Sequence, residues 1–261
     1  MSDPRTWRPG SRSTTLLLGL AGFVVVIAVW WIVADTAFAA TGVVPSPAAL
    51  VEQFIADGPQ YYVNQVGVTV TSAAQGWVWG SIAALLLASF VLLFPRSEPA
   101  VTQFGVIIEC IPLTAIGPIV LALVGGRTPS IFLAAMAVFF TALIGSLLGV
   151  HASRRIEHDL VRAYGGNRWS RFAKVQVWAA LPAVATALKI AVPAALIGAI
   201  LGEYLGGVDS GIGVALSAIQ RSIQVERTWI FGLSAALLAS GGYGLIAVAA
   251  RIALPWARST S

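Results

Sequence analysis

Three ionisable side chains, Glu109, Lys189 and Glu203, lie within or at the edge of long apolar runs of the sequence. An ionisable residue inside a membrane span is by default a functional hypothesis, because burying its charge is costly unless it is paired. All three are therefore candidates for lining or gating a path for a solute. A Glu109–Lys189 ion pair, within one chain or between two, would form an inner gate. The alternatives are that Lys189 extends to the membrane interface and that Glu203 caps the Gly-rich segment after it.

Three prolines, Pro112, Pro118 and Pro193, interrupt the same apolar runs. A proline inside a membrane helix leaves a backbone carbonyl without its usual partner and loosens the helix there. Pro112 and Pro118 lie close to Glu109 in sequence, so they join it as candidates for the path. Hinges in that path and kinks that serve packing are equally compatible with the pattern.

The sequence carries no motif for nucleotide, metal or covalent chemistry. Neither Lys174 nor Lys189 belongs to a G-x-x-x-x-G-K-[ST] loop, so a phosphate-cradling P-loop is missing. His151 and His158 have no Cys or acidic partner at metal-ligand spacing. These absences predict a protein that is not an enzyme, has no catalytic residue and holds no metal or cofactor of its own.

The composition indicates a protein of the lipid bilayer. Hydrophobic residues make up 57% and charged residues 10% of the 261, whereas a soluble domain carries about 25% charged residues. The formal net charge of +5 is better explained by basic cytoplasmic loops than by nucleic-acid binding. The single cysteine, Cys110, excludes an internal disulfide and is expected to act as a small buried hydrophobe.

Apolar runs long enough to cross about 30 Å of hydrocarbon predict an all-α integral membrane protein with six spans. A short helix starting at Ser46-Pro47 is expected between the first two spans, with proline at its first position. We expect one transmembrane domain, 14–250, between tails at 1–13 and 251–261. The predicted spans are 13–34, 63–94, 101–124, 131–150, 183–201 and 228–250.

The distribution of Lys and Arg predicts the orientation. Twelve of the 16 fall in segments that would be cytoplasmic, three in outer segments and one in a span, as the positive-inside rule requires when both termini are inside. The sequence AFAA at 37–40 could be a signal-peptidase site, but the preceding apolar run is longer than the about 7–15 residues of a signal peptide. We therefore expect a retained first helix.

The longest polar stretch inside the apolar chain runs from His151 to Pro182. Two helical segments separated by Gly165-Gly166 give it a hairpin-like outline, and glycine allows the sharp turn. Its basic residues predict a cytoplasmic loop that docks against a partner. The plainer alternative is a solvated loop that only satisfies the positive-inside rule. Those basic residues are Arg154, Arg155, Arg162, Arg168, Arg171 and Lys174.

This stretch resembles the cytoplasmic EAA loop of the permease subunits of type I ABC importers, with the pattern E-A-A, three residues, G, nine residues, I, one residue, L-P. Asp159-Leu160-Val161 takes the place of E-A-A, and Gly165 takes the place of the glycine. Val175 stands for the isoleucine, and Val177-Trp178 stands where L-P is expected. Leu181-Pro182 matches a second L-P that many members carry, and Asn167-Arg168-Trp169 matches the stretch after the glycine.

Further segments resemble the branch of the family associated with nitrate, sulfonates, taurine and pyrimidine precursors. They occur in the family's order and spacing, which makes the resemblance extend over nearly the whole chain. The matching segments are Val43-Val44-Pro45-Ser46-Pro47, Ile111-Pro112 with Ala115 and Pro118, and Glu203 with Gly206-Gly207 and Ser210-Gly211-Ile212-Gly213.

The resemblance implies the permease subunit of an ATP-driven importer in the cell inner membrane. Its partners would be a second permease, two cytoplasmic ATPase subunits that bind ATP and Mg, and an extracytoplasmic solute-binding protein. The solute would be small, such as a pyrimidine, a sulfonate or nitrate. The residues implied to couple the permease to the ATPase are Asp159, Leu160, Val161, Arg162, Ala163, Tyr164, Gly165 and Gly166.

Other function classes predict features that the sequence does not show. An ion-coupled secondary transporter is the main alternative, and it should carry an internal repeat and clustered membrane carboxylates. A purely structural membrane protein would not need an organised polar loop. The sequence leaves open the solute, the pairing with an identical or a related permease, and the direction of transport, which rests on the resemblance alone.

Overall fold

The computed structural model describes residues 12–152, 155–206 and 208–256, which fold into helices without a strand. Most of the predicted tails, Arg154 and Gly207 lie outside these residues. The α-helices are α1 (Arg12–Thr36), α2 (Pro47–Asp57), α3 (Pro59–Leu93), α4 (Glu98–Cys110), α5 (Leu113–Leu123), α6 (Thr128–Val150), α7 (Arg155–Ala163), α8 (Arg168–Arg171), α9 (Val177–Tyr204), α10 (Ile212–Ser222) and α11 (Val225–Ala253).

Five helical stretches are long and apolar enough to cross a membrane. A helix satisfies its own backbone hydrogen bonds, which is what an apolar solvent without donors or acceptors demands. The segments containing α4 and α5 meet the same criteria together, as a sixth span that is bent. The predicted all-α membrane class is thus confirmed. The five stretches are Leu17–Thr36, Pro59–Leu93, Thr128–Gly149, Trp169–Tyr204 and Val225–Ala253.

The predicted third span is not one helix. α4 ends at Cys110, α5 begins at Leu113, and the two segments of the span meet at an angle of 84°. Ile111 has φ −77° and ψ 121°, because a residue before proline is pushed out of the helical region. Pro118 lies inside α5 without ending it. The interruption expected at both prolines therefore occurs at Pro112 alone, and Cys110, expected to be buried, is exposed at the end of α4.

The predicted loop 151–182 is shorter than expected, and the fifth span is longer. Helical structure resumes at Arg168, passes through a π-helical segment at Phe172–Gln176 and continues as α9. Pro182 lies inside α9 instead of preceding the span. In an apolar run, a proline costs less by loosening the helix locally than by exposing a full set of backbone groups.

The chain divides into two compact units, 1–59 with 223–230 and 60–222 with 231–261. In the first unit, the predicted short helix α2 begins as expected: Ser46 accepts a hydrogen bond from the Ala49 N–H at 3.3 Å, with Pro47 at the first helical position. Arg227 forms an ion pair with Asp57, with N–O distances of 2.5 and 2.8 Å.

The core of the second unit is built on α6 and α9, which pack along their lengths. Small residues face each other there: a Cβ added to Gly198 would lie 2.6 Å from the Cα of Ala134. Membrane helices associate through such small residues because close backbone approach maximises van der Waals contact. Leu133, Leu143 and Ala199 are fully buried in this core.

Candidate coupling helix and translocation cleft

The polar connection between α6 and α9 forms a short helix, a tight turn and a second helix. α7 ends in a Schellman motif: the Gly166 N–H donates to the Val161 carbonyl at 2.8 Å, and the Gly165 N–H donates to the Arg162 carbonyl at 2.9 Å. Gly165 has φ +72°, a conformation that glycine adopts without steric cost. The break expected at Gly165-Gly166 is therefore present.

The helix after the turn starts with its own cap. The side-chain oxygen of Asn167 accepts a hydrogen bond from the Ser170 N–H at 2.9 Å, which satisfies one of the N–H groups left free at a helix start. A Cβ at Gly166 would lie 2.7 Å from the Val161 carbonyl oxygen. The direction of the chain between α7 and α8 is thus fixed by local contacts.

The predicted coupling residues, and Trp169 just after them, present apolar surface to the outside. The exposed fractions are 60% for Leu160, 85% for Tyr164 and 64% for Trp169. Asp159 and Arg162 are also exposed, and Val161 is half-buried. Exposed aromatic and aliphatic side chains at a polar turn are the kind of residue that anchors protein interfaces. The side chains of 155–158, which include His158, lie outside the description.

A cleft of about 350 Å³ opens at the α4–α5 break. It brings together two of the predicted path residues, Glu109 and Pro112, with the hydroxyl-bearing Thr114 and Thr141. Pro118 and Lys189 are not part of its lining. The residues that line it are Ile108, Glu109, Ile111, Pro112, Leu113, Thr114, Met136, Ala137, Thr141, Ala194 and Ile197.

No ion pair joins Glu109 to Lys189 within the described part of the single chain. Among the described residues, Arg227 forms an ion pair with Asp57, and the His151 Nε2 lies 2.9 Å from a Glu98 carboxylate oxygen. A pair between two copies of the chain remains a prediction, as does the gating role. Within the described ranges, no group of three or more His, Cys, Asp or Glu side chains could hold a metal ion.

Glu203 is buried, with 1% of its surface exposed, and is tied to the start of α10. Its Oε2 accepts hydrogen bonds from the Thr69 hydroxyl at 2.8 Å and from the Gly213 N–H at 3.1 Å. Its Oε1 is buried without a hydrogen-bond partner among the described residues. This geometry is that of a cap on the Gly-rich segment, one of the two roles expected for this residue, and the role in lining the path stays a prediction.

Further polar contacts tie α3 to the Gly-rich segment and to Arg127, and they were not singled out from the sequence. The Gly211 N–H donates to the Gln65 side chain at 2.5 Å, and the Ile212 N–H donates to the Thr69 hydroxyl at 2.9 Å. Arg127 donates to the Thr71 hydroxyl at 2.6 Å and to the Val68 carbonyl at 3.0 Å. The sequence signal that could have pointed to these contacts is the presence of polar residues within the otherwise apolar α3.

Comparison with known proteins gives a family of membrane transport components and several transport permeases. The family model for the binding-protein-dependent transport system inner membrane component matches residues 76–254. The formylaminopyrimidine transport permease protein ThiX of Halalkalibacterium halodurans is 25% identical over 237 residues, 90% of this chain and 94% of the relative.

Two further curated relatives are permeases as well. A probable ABC transporter permease protein of Haemophilus influenzae is 28% identical over 204 residues, 77% of this chain and 82% of that protein. The putative aliphatic sulfonates transport permease protein SsuC of Bacillus subtilis is 20% identical over 226 residues, 85% of this chain and 81% of that protein.

These matches confirm the resemblance and overturn the alternative of an ion-coupled secondary transporter. A family of inner membrane transport components also agrees with the several apolar helices and with a transport subunit rather than an enzyme. The chain belongs to the family of binding-protein-dependent transport system inner membrane components, and it is a multi-pass permease subunit of an ABC importer.

Proposed function

We propose that two copies of this chain form the path of the importer and that α7 with the turn to Gly166 docks onto a cytoplasmic ATPase subunit. Each permease copy would engage one ATPase, which binds ATP and Mg, while the permease itself holds neither. A solute-binding protein outside the membrane would deliver the solute. Closure of the two ATPases would then move the two permeases as rigid bodies about the path.

One observation carries the coupling role: an exposed helix with apolar side chains is fixed by a Schellman turn between two membrane spans. The exposed Leu160 and Tyr164 offer surface to a groove, and the exposed Asp159 and Arg162 offer polar contacts at its rim. Because the turn is set by the hydrogen bonds of Gly165 and Gly166, a push on α7 would be passed through α8 to α9.

The orientation in the membrane follows from the same assignment. If α7 is cytoplasmic, then both termini and Arg96 are cytoplasmic, and α2 and the α9–α10 segment are outside. Twelve of the 16 Lys and Arg residues then lie on the cytoplasmic side, in agreement with the positive-inside rule. The proposal includes a single permease domain at 14–250 with a short cytoplasmic tail at each end.

The solute is proposed to be a small organic molecule or anion. Two of the relatives are named for transport of formylaminopyrimidine and of aliphatic sulfonates. We therefore consider a pyrimidine and a sulfonate as the two solute classes for this chain. The binding protein would make the first selection, so the permease path supplies only a second filter.

Co-purification tests the docking role. A Leu160→Glu/Tyr164→Glu double variant places charge on the exposed apolar surface, whereas Leu160→Met/Tyr164→Phe keeps that surface and serves as the matched control. Affinity-tagged permease is extracted from native membranes with a mild detergent, and the ATP hydrolysis that co-elutes with it is measured. We expect hydrolysis with the parent and the control, and its loss from the charged variant.

The opposite result would contradict the docking role. Hydrolysis that co-elutes undiminished with the charged variant would show that the ATPase docks elsewhere on the permease. Equal yields of the monodisperse permease in all three preparations establish that the substitutions act on docking and not on folding. An intact parent that carries no ATP hydrolysis would contradict the proposed function as a whole.

A further inference from the structure

We propose that the cleft at the α4–α5 break disfavours anions, so that the solute passing it is a cation or an uncharged molecule rich in hydrogen-bond donors, such as an aminopyrimidine. This inference rests on the proposed function, because it takes the cleft as part of the solute path. It decides between the two solute classes that the names of the relatives leave open.

The charge of the cleft lining carries the inference. Among the described residues that line it, Glu109 is the one charged side chain, and it is exposed. Thr114 and Thr141 add hydroxyl groups on α5 and α6. Lys189, the residue that the sequence suggested as a partner for Glu109, does not line the cleft and forms no ion pair with Glu109 in the described chain.

The helix ends at the break do not reverse this sign. α4 ends at Cys110 and presents the negative end of its dipole, while α5 begins at Leu113 and presents its positive end. The two contributions oppose each other, so the carboxylate sets the sign of the field. A carboxylate also accepts hydrogen bonds from amino groups and offers no donor when ionised, which suits an aminopyrimidine and not a sulfonate.

A cleft with walls of low polarity focuses the field of its charges and raises the local concentration of the opposite ion by about 10 to 10³-fold. For a single carboxylate that is exposed to water, we expect an increase in local cation concentration at the lower end of that range. The expected preference for a cation over an anion is therefore about tenfold, and it should weaken as the salt concentration rises.

The experiment measures the sign of the field directly. The native Cys110 is changed to Ser, and Thr114 on the cleft wall is changed to Cys in the full-length permease in membrane vesicles. The thiol is treated with two methanethiosulfonate reagents of similar size, one bearing trimethylammonium and one bearing sulfonate. Their rate constants are divided by those for a free thiol in solution, with Glu109 present and in a Glu109→Gln variant.

With Glu109 present, the cationic reagent should react about tenfold faster than the anionic one, and Glu109→Gln should remove most of that preference. A Thr41→Cys variant in the connection after α1 is the control, and its ratio should not respond to Glu109→Gln. The same ratio with Glu109 present and with Glu109→Gln, or a Thr114→Cys thiol inert to both reagents, would overturn the inference. If Thr114→Cys does not yield folded protein, Thr141→Cys reports on the same cleft from α6.

A second readout addresses the solute class. A millimolar aminomethylpyrimidine should slow the reaction of the Thr114→Cys thiol, and ethanesulfonate at the same ionic strength should not. Protection by the sulfonate, or by neither molecule, would overturn the proposal. A permease that co-purifies with ATP hydrolysis but shows no charge preference contradicts this inference alone, whereas loss of the co-purifying ATPase contradicts the proposed function.

Discussion

At the scale of single residues, Glu203 makes buried polar contacts to two other segments of the chain. It joins α9 to Thr69 on α3 and to the Gly213 N–H at the start of α10. Gly211 is required beside it, since its φ is +138° and a Cβ would lie 2.5 Å from the carboxyl group. The buried carboxyl therefore helps to hold the segment between α9 and α10, together with Gln65 and Thr69 of α3.

Replacing Glu203 by alanine should destabilise the permease. The Thr69 hydroxyl and the Gly213 N–H would lose their acceptor while remaining buried, and an unsatisfied buried polar group costs about 1–3 kcal/mol. Glu203→Gln keeps one acceptor oxygen and should lose less. Thermal unfolding of the purified permease in detergent measures the order of stability, parent above Gln above Ala.

The exposed Glu52 of α2 supplies the matched control, because Glu52→Ala removes a carboxylate that water already solvates. Its unfolding midpoint should equal that of the parent. A Glu203→Ala variant as stable as the Glu52→Ala variant would show that the buried contacts contribute nothing.

The sequence predicted that Glu203 could cap the Gly-rich segment but could not identify its partners. Thr69 and Gln65 precede it by more than a hundred residues, and only the packing of α3 against its neighbours decides which polar residues of α3 meet it. By contrast, the Gly165-Gly166 turn depends on contacts within six residues, so its position was readable from the chain itself.

At the scale of elements, α7 depends on its terminating turn. Gly165→Val would place a β-branched residue at φ +72°, which costs about 1–2 kcal/mol, whereas Asn tolerates this conformation. If α7 must be held at a fixed angle for docking, the Val variant should lose about tenfold in co-purifying ATP hydrolysis, since about 1.4 kcal/mol is a factor of ten.

Gly165→Asn is the control for that experiment, and its hydrolysis should stay close to that of the parent. Equal hydrolysis in the Val and Asn variants would mean that the backbone conformation at Gly165 does not matter for coupling. The comparison separates the turn geometry from the loss of a glycine as such.

The close approach of α6 and α9 gives a second prediction at this scale. Gly198→Ala would force a methyl group to within 2.6 Å of the Ala134 Cα, and overpacking of this kind costs about 1–3 kcal/mol. The unfolding midpoint in detergent should fall. Gly244→Ala on α11, where nothing lies within 4 Å, should leave it unchanged or raise it, because alanine is the better helix former.

The ends of the elements were the least predictable part of the fold. Pro112 interrupts a helix and Pro118 does not, although both lie in the same apolar run. The local effect of the ring is the same at both positions, so the difference comes from the packing of the surrounding helices, which the sequence does not display. The helical type of the spans followed from hydropathy, since an apolar solvent demands a structure that satisfies its own backbone hydrogen bonds.

At the scale of the whole molecule, the proposed orientation makes a prediction for intact cells. In a Cys110→Ser background, a membrane-impermeant maleimide added from outside should label Thr41→Cys without permeabilisation. It should label Asn167→Cys, at the turn after α7, only once the inner membrane has been opened. Labelling in the reverse order would invert the orientation and remove α7 from the side of the membrane where ATP is available.

Direct contact between α7 and the ATPase is the central claim, and site-specific photo-crosslinking in native membranes tests it most directly. A photoreactive phenylalanine analogue replaces Tyr164, which is 85% exposed, and the same analogue replaces Trp256 as the control. The account predicts a crosslinked product at position 164 whose partner yields peptides of a P-loop ATPase, and none at position 256. A product at position 164 that contains no ATPase peptide, or an ATPase crosslink at position 256 alone, would contradict it.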